Sequence, residues 1–310
     1  MKIVCLYTDK GGVGKTTAAP NIAASLKNAH PSCRVGLMDL CSDHGHLSKR
    51  YAPNKERDLL GAWAIVEALI DPRLRRDEAN ADRAILASTT PLRVIPGTSG
   101  TDGCVEFINV GVGLSHNLRG ARVFGSADDA KRFGGEFVDA IERVLRLDYL
   151  VVDLPGMVDE GMVRSVLPHC YAVTIPVDVR SYMNMAEGGV LVDKLRKMDV
   201  EVSCLLRTFV EDGESTPSAQ VGADEAVGEL SKTVGVPVLA GGIPDRRTLP
   251  QSIEPRPASP GEPVEIGLYV MAARKELNGN QRSVINRTIV AIEGAMNAML
   301  AEADALAASK

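Results

Sequence analysis

The sequence predicts an α/β fold in which a mainly parallel, twisted sheet carries helices on both faces. Apolar runs typical of buried strands alternate along the chain with segments of helical periodicity. The first apolar run leads directly into a glycine-rich turn and a helix, at 10–17. Two later strands each end in an aspartate, Asp39 and Asp153. Because the carboxyl ends of parallel strands meet at one edge of a sheet, these features predict a ligand site along that edge.

The bulk composition is ordinary for a globular protein, with 310 residues, 45% hydrophobic and 24% charged. The length is sufficient for one large core, and we predict a single domain over 1–310. No apolar run approaches the ~18 residues of a membrane span. The N-terminus passes directly into a strand, so we expect no secretory signal and no membrane partner.

Charge and cysteine content narrow the function classes further. The net charge of −5 argues against a chain dominated by nucleic-acid binding, although it allows a local basic patch. The six cysteines contain no pair at C-x-x-C spacing, and several lie in apolar runs where buried free thiols are usual. We therefore expect a reducing, cytoplasmic compartment.

The glycine-rich turn has the sequence of a phosphate-binding loop. Strand, glycine loop and helix follow one another, and the glycines allow backbone N–H groups to turn towards an anion. The amino end of the helix adds a favourable dipole. We predict that Lys15 reaches the β- and γ-phosphates and that the Thr16 hydroxyl binds Mg²⁺. The alternative is a glycine-rich turn that only caps a helix. The predicted phosphate-binding residues are Gly11, Gly12, Val13, Gly14, Lys15, Thr16 and Thr17.

The two strand-end aspartates are the candidate catalytic and metal-binding carboxylates. Asp39 ends the strand over 34–39, and we predict that it lies near the γ-phosphate, where it can orient the attacking water. Its alternative role is a helix or turn cap. Asp153 ends the strand that begins near 147, which is the position of the second carboxylate on the Mg²⁺ side in phosphate-loop enzymes.

Between these motifs, most segments follow the strand–helix alternation. The exception is 97–126, which is rich in glycine and aperiodic, and which we predict to be a loop that forms a partner surface, a lid or a solvated insertion. Predicted helices lie at 58–70, 127–146, 183–198 and 219–233, and predicted strands at 92–96, 170–177, 202–206 and 237–240.

A long C-terminal helix is predicted over 281–308. Its apolar residues step by four and three positions, which indicates one continuous apolar stripe. The stripe favours packing on the same domain, and a partner or self-association helix is the alternative. The stripe consists of Ile285, Ile289, Ile292, Met296, Met299, Ala303 and Leu306.

The chain resembles the ParA/MinD family of deviant Walker-A ATPases in three features. These are the motif K-G-G-V-G-K-T-T at 10–17, the strand-end Asp39 and the segment ending in Asp153-Leu154-Pro155. The resemblance is closest to the ParA-type partition ATPases. It implies a P-loop NTPase fold, ATP and Mg²⁺ as ligands, and an ATP-dependent homodimer. Lys10 would be the signature lysine that reaches the partner subunit's phosphates.

The resemblance also assigns roles along the rest of the motifs. Lys15 and Thr16 would bind phosphate and Mg²⁺, Asp39 would position the hydrolytic water, and Asp39 and Asp153 would support the metal. Pro244 and Asp245 resemble the segment that borders adenine. After Asp39 the chain departs from the family's usual D-x-D-P-Q continuation, because Cys41, Ser42 and Asp43 occupy the later positions.

The function implied is partition of plasmids or chromosomes. An ATP-bound dimer would bind DNA without sequence preference, at the nucleoid, and a ParB-like or other activating partner would trigger hydrolysis. The alternative is an ATPase that positions a protein assembly or assists conjugation without binding DNA. The candidate DNA-binding cations are Arg246, Arg247, Arg274, Lys275, Arg282 and Arg287.

Two other classes of related ATPase are disfavoured by the residues of this chain. A membrane-cycling MinD-like ATPase needs a basic amphipathic C-terminal helix, whereas this chain ends Ala307-Ala308-Ser309-Lys310. An electron-transfer relative of the nitrogenase iron protein needs cysteines that share an iron–sulfur cluster, and no cysteine lies between Asp153 and Pro168.

Overall fold

The structure, a computed structural model, describes residues 1–40, 46–51, 78–98, 101–109, 126–156, 161–179, 182–210, 218–244, 254–255 and 262–309. Its strands are β1 (Lys2–Leu6), β2 (Val35–Asp39), β3 (Thr89–Arg93), β4 (Cys104–Asn109), β5 (Tyr149–Asp153), β6 (Ala172–Asp178), β7 (Cys204–Val210), β8 (Val238–Pro244) and β9 (Val264–Glu265). Its helices are α1 (Lys15–Ala29), α2 (His46–Tyr51), α3 (Glu78–Ser88), α4 (Ala127–Leu145), α5 (Gly161–Val166), α6 (Tyr182–Arg196), α7 (Ser218–Val234), α8 (Leu268–Ala272) and α9 (Gly279–Ala308), with a 3₁₀ turn over Leu167–His169.

The described strands form one nine-stranded sheet in the order β8-β7-β6-β1-β5-β2-β4-β3-β9. Every neighbouring pair is parallel except β3 and β4, which are antiparallel. β1 lies near the middle of the sheet between β5 and β6, so the loop that follows β1 emerges at the centre of the carboxyl edge. The predicted α/β class with a mainly parallel sheet is confirmed.

Hydrophobic layers cover both faces of the sheet, as parallel strands require. One layer packs α3, α4, α5, α6 and α7 against the sheet, and the other packs α1, α2, α8 and α9 against the opposite face. β1 contributes to both layers, since Ile3 and Cys5 face the first and Val4 and Leu6 the second. In the part of the chain that is described, no helix is long and apolar enough to cross a membrane.

α9 covers one of these faces and contains the whole of the predicted C-terminal helix. Its first turn is fixed by a capping box, in which Asn278 and Gln281 each accept a hydrogen bond from the other's backbone N–H. This cap begins the helix at Gly279, two residues before the predicted start. Most of the predicted stripe is buried in the same chain, while Ile289 and Leu306 are half-buried. The stripe therefore packs on its own domain.

The predicted loop over 97–126 is wrong in part, because residues Cys104–Asn109 form β4. This strand is internal, between β2 and β3, and its side chains reach both layers, with Phe107 on one face and Ile108 on the other. The surrounding glycines hid the short apolar run, and Gly103, at φ 67°, makes the turn that precedes it. The predicted strand over 92–96 is observed at Thr89–Arg93, and the predicted helix over 58–70 lies outside the described residues.

Candidate nucleotide-binding site

The loop between β1 and α1 has the backbone of a phosphate-binding loop. Gly12 and Gly14 adopt φ values of 77° and 87°, in the left-handed region that favours glycine. Gly14 is also the residue that precedes the first turn of α1. A Cβ placed on Gly11 or Gly12 would meet no described atom within 4 Å, so the space beside the loop backbone is open. The loop thus offers backbone N–H groups and a fifteen-residue helix dipole to an anion.

Lys15 opens α1 and turns its side chain back over the loop. The side chain is only 8% exposed, and its ammonium donates to the carbonyl oxygens of Thr8, at 3.0 Å, and Lys10, at 2.6 Å. These partners are neutral, so an anion at the loop would offer Nζ a stronger, charge-assisted interaction. Lys15 therefore lies over the loop, and its phosphate-binding role stays a prediction.

The two predicted aspartates lie side by side at the carboxyl edge of the sheet. Asp39 and Asp153 are register partners on β2 and β5, which places their Cα atoms about 4.8 Å apart, and both are buried. Within the described ranges, neither carboxylate oxygen of Asp153 accepts a hydrogen bond of good geometry, although the Thr16 side chain is close enough to interact with it. Burial, and next the charge of Asp39, raise the pKa of Asp153 to about 7, while the nearby Thr16 and Lys15 act in the opposite direction.

This pair of carboxylates is suited to a divalent cation. A buried carboxylate whose charge is not fully compensated is costly, and a cation would satisfy both its charge and its lone pairs. In the described residues no three His, Cys, Asp or Glu side chains cluster as a metal site. Mg²⁺ does not need such a cluster, because it is usually held by one or two carboxylates, waters and substrate phosphates. Asp153 and Thr16 are the residues that fit it best.

Asp39 makes contacts that the sequence left as an alternative to catalysis. Its Oδ2 accepts hydrogen bonds from the backbone N–H and the hydroxyl of Ser48, both at 2.8 Å. Ser48 lies in the first turn of α2, so Asp39 fixes the start of that helix. The carboxylate still lies at the site edge, beside Asp153. The segment after β2 therefore depends on the same carboxylate that was predicted to orient water.

Lys10 and its neighbour Asp9 contact a helix that sequence reasoning did not assign to the site. The ammonium of Lys10 forms an ion pair with Glu187 of α6. Asp9 is paired with Lys194, two turns along the same helix, at 3.6 Å between Oδ2 and Nζ. No local signal marks these partners, because α6 is remote from the loop in sequence and its charges follow no motif.

A second backbone contact approaches the loop from the end of β5. Gly156 follows Pro155, and a Cβ built on it would lie 3.0 Å from the carbonyl oxygen of Asp9. The segment that follows β5 is thus in van der Waals contact with the start of the phosphate-binding loop. Only a residue without a side chain permits this approach without displacement of one segment.

The remaining predicted site residues are only partly described. Pro244 is the last residue of β8, at the same edge of the sheet, whereas Asp245, Arg246 and Arg247 lie outside the described residues. The other candidate DNA-binding cations lie at the start of α9 and just before it. Lys275, Arg282 and Arg287 are exposed and Arg274 is half-buried.

Comparison with known proteins agrees with this geometry. No protein-family model matches the chain. An iron–sulfur cluster carrier protein of Deinococcus radiodurans is 28% identical over 211 residues, which are 64% of this chain and 47% of that protein. The chain therefore spans about half the length of this curated relative.

Solved structures match over more of the chain. A putative plasmid partition protein from Borrelia burgdorferi B31 bound to AMPPNP is similar with a TM-score of 0.59, 15% identity and coverage of 97% of this chain and 98% of that one. Cobyrinic acid a,c-diamide synthase from Mycobacterium smegmatis, with an ATP analogue and magnesium, is similar with a TM-score of 0.59 and 18% identity. The match covers 97% of this chain and 94% of that one. A Cyanothece McdA variant with one aspartate replaced by alanine, in complex with ATP, is similar with a TM-score of 0.53 and 17% identity. The match covers 82% of this chain and 87% of that one.

These likenesses, together with the loop between β1 and α1, bear out the resemblance to ParA-type partition ATPases at the level of the fold. The chain has the fold that the plasmid partition protein and McdA share.

Proposed function

We propose that this chain is a ParA-like ATPase that dimerises on ATP binding, binds DNA without sequence preference and is switched off by partner-stimulated hydrolysis, in plasmid or chromosome partition. The observation that carries the ATPase part is the buried carboxylate of Asp153, which lies beside Thr16 and the phosphate-binding loop and accepts no hydrogen bond of good geometry in the described part of the chain. The solved partition protein and McdA variant bind AMPPNP and ATP in the same fold, which supports ATP as the nucleotide.

The proposed chemistry is positioning and charge stabilisation. Loop N–H groups and Lys15 would hold the phosphates, while Thr16 and Asp153 would hold Mg²⁺, which when bound neutralises charge on the phosphate oxygens. Asp39 would orient water, and a modest movement of Ser48 would free the Asp39 Oδ2 for that role. Lys10 would add a cation from the partner subunit.

The proposed DNA contact lies at the amino end of α9. Exposed Arg282 and Arg287 flank a groove of about 510 Å³ that runs along the helix. Among the described residues, the groove is completed by Gly279, Ser283, Asn286 and Val290. Cations and small polar side chains along a helix are suited to phosphate contacts, which carry no sequence information.

The alternative is an ATPase that positions a protein assembly or assists conjugation. It keeps the nucleotide site and the dimer but makes no use of DNA. The iron–sulfur carrier role of the Deinococcus relative is not extended to this chain, because the six cysteines contain no C-x-x-C pair.

The test is binding to a random-sequence DNA duplex with and without Mg²⁺–ATP, at two salt concentrations. Asp39→Ala blocks hydrolysis, and Asp39→Asn is its matched variant because the amide oxygen can still accept from Ser48. Lys15→Ala is the nucleotide-free control. We expect binding that requires ATP and falls steeply with salt. A dimer that forms with ATP but leaves DNA unbound at low salt would contradict the DNA part and favour the alternative.

A further inference from the structure

The contact between Lys10 and α6 concerns the residue on which the proposed dimer depends. In the single chain the Lys10 ammonium is paired with the Glu187 carboxylate. The Lys10 side chain is 28% exposed and that of Glu187 49%, so the pair lies at the surface beside the phosphate-binding loop. A lysine held this way must exchange its carboxylate for another anion before it can serve a second subunit.

The helix that carries Glu187 is firmly placed. On its inner side, Leu191, Val192 and Leu195 are buried in the core. Gly188 and Gly189 let α6 approach α7 closely, because a Cβ on either would lie 3.1 or 3.4 Å from the Leu230 side chain. Glu187 is therefore presented to Lys10 from a helix that packs in the core.

A second ion pair brings the same helix face to the same loop. Lys194, seven residues after Glu187, pairs with Asp9, the residue before Lys10. Adjacent residues of opposite charge thus meet two opposite charges spaced by two helical turns. This arrangement orients Asp9 towards Lys194 and Lys10 towards Glu187, since the reverse pairing would place like charges together.

We propose that Glu187 is an intramolecular counter-charge that holds Lys10 in the single chain and is exchanged for nucleotide phosphate of a partner subunit when the dimer forms. This inference rests on the proposed function, because it assumes that Lys10 acts in trans. Glu187 is a positioning residue, since it acts only through Lys10. It sets a threshold for dimerisation, because each protomer must break its own pair.

The predicted effect follows from the strength of exposed ion pairs. One such pair changes an equilibrium by only a few-fold, and a dimer breaks two, so the effects multiply. Glu187→Gln keeps the size and polarity of the side chain and removes its charge. We expect its dimer dissociation constant, measured by sedimentation with Mg²⁺ and AMPPNP, to fall on the order of fivefold, with nucleotide affinity of the monomer unchanged.

The matched control is Glu229→Gln. Glu229 also forms an exposed ion pair with a lysine, Lys232, but on α7 and with a partner outside the loop. It loses the same charge and should leave dimerisation unchanged.

A second measurement does not depend on nucleotide or dimer. The rate at which a lysine-selective acylating reagent modifies Lys10 in the nucleotide-free protein, followed by mass spectrometry, should rise several-fold in Glu187→Gln and not in Glu229→Gln. An unchanged rate would overturn the proposed counter-charge even if dimerisation is normal.

Failure of the native chain to dimerise with ATP would instead contradict the proposed function, while a raised acylation rate would still support the Lys10–Glu187 contact. A weaker dimer in Glu187→Gln would also overturn the inference, because it would mean that Glu187 stabilises the dimer.

Discussion

The carboxyl edge of β1, β2 and β5 and the outer face of α9 both carry charges, but they hold them differently. At the edge, Lys15, Asp39 and Asp153 are buried, and among the described residues none gives Asp153 a hydrogen bond of good geometry. On α9, Arg282 and Arg287 are exposed, and Arg282 donates to a backbone carbonyl, that of Arg274. Buried charges without full compensation are costly and persist where a ligand needs them, whereas exposed cations cost little. The edge is therefore the stronger evidence for a site.

The largest effect that separates the two regions is expected at Lys15. Lys15→Ala removes the buried ammonium and leaves the loop backbone in place, so ATP affinity should fall by roughly 100-fold, about 3 kcal/mol. Titration calorimetry with ATP measures it. The control is Lys27→Ala. Lys27 lies in the last turn of the same helix, and its ammonium also donates to backbone carbonyls, those of Pro31 and Cys33. Equal ATP affinity in both variants would contradict the site.

The next effect concerns the proton on Asp153. Its pKa of about 7 lies above the ordinary value of 3.8, so between these values the folded protein holds a proton that the unfolded chain releases. The free energy of unfolding should therefore fall as the pH rises from about 4 to 7. In the native chain this carboxyl contributes roughly 1–3 kcal/mol to the difference in the free energy of unfolding between pH 5 and pH 8. Asp153→Asn should remove that contribution, which urea unfolding at the two pH values measures.

The same proton should control metal binding. Mg²⁺ requires the ionised carboxylate, so the gain in ATP affinity on adding Mg²⁺ should grow as the pH rises through about 7. In Asp153→Asn that gain should be small and independent of pH. A pH-dependent Mg²⁺ effect of native size in the variant would show that another group titrates.

The sequence predicted where the edge residues lie better than it predicted their surroundings, for a physical reason. The placement of the glycine loop, of Lys15 and of the aspartates at the ends of β2 and β5 follows from local strand, turn and helix signals and from the alignment of parallel strand ends, while the roles of these residues stay predictions. The cap that Asp39 makes for α2 was left as an alternative, and the pairs between α6 and the loop were missed. Those pairs depend on how remote segments pack, and single charges on a helix surface carry no pattern. β4 was missed because its glycine-rich surroundings outweighed a short apolar run.

A smaller effect is expected where the end of β5 touches the loop. Gly156→Ala would place a Cβ 3.0 Å from the carbonyl oxygen of Asp9, so the two segments must separate by a few tenths of an ångström. We expect ATP affinity to fall by about threefold to tenfold, since binding depends on loop geometry. Gly228→Ala, on α7, is the control, because its Cβ would meet no described atom within 4 Å and the change should be neutral or stabilising. Unaltered ATP affinity in Gly156→Ala would mean that the contact yields without cost.

The smallest effect per residue is expected on α9, and it tests whether exposed cations there do more than solvate the surface. Each cation that neutralises a DNA phosphate contributes about one to the slope of log affinity against log salt, so the double variant Arg282→Gln and Arg287→Gln should reduce that slope by about two. ATP affinity should not change, because neither arginine lies at the carboxyl edge. Lys232→Gln, an exposed cation on α7, is the control and should leave the slope unaltered. If the double variant and the control bind DNA with the same slope, the cations of α9 are ordinary surface charges, and the contrast between the two regions becomes one between a site and a solvated face.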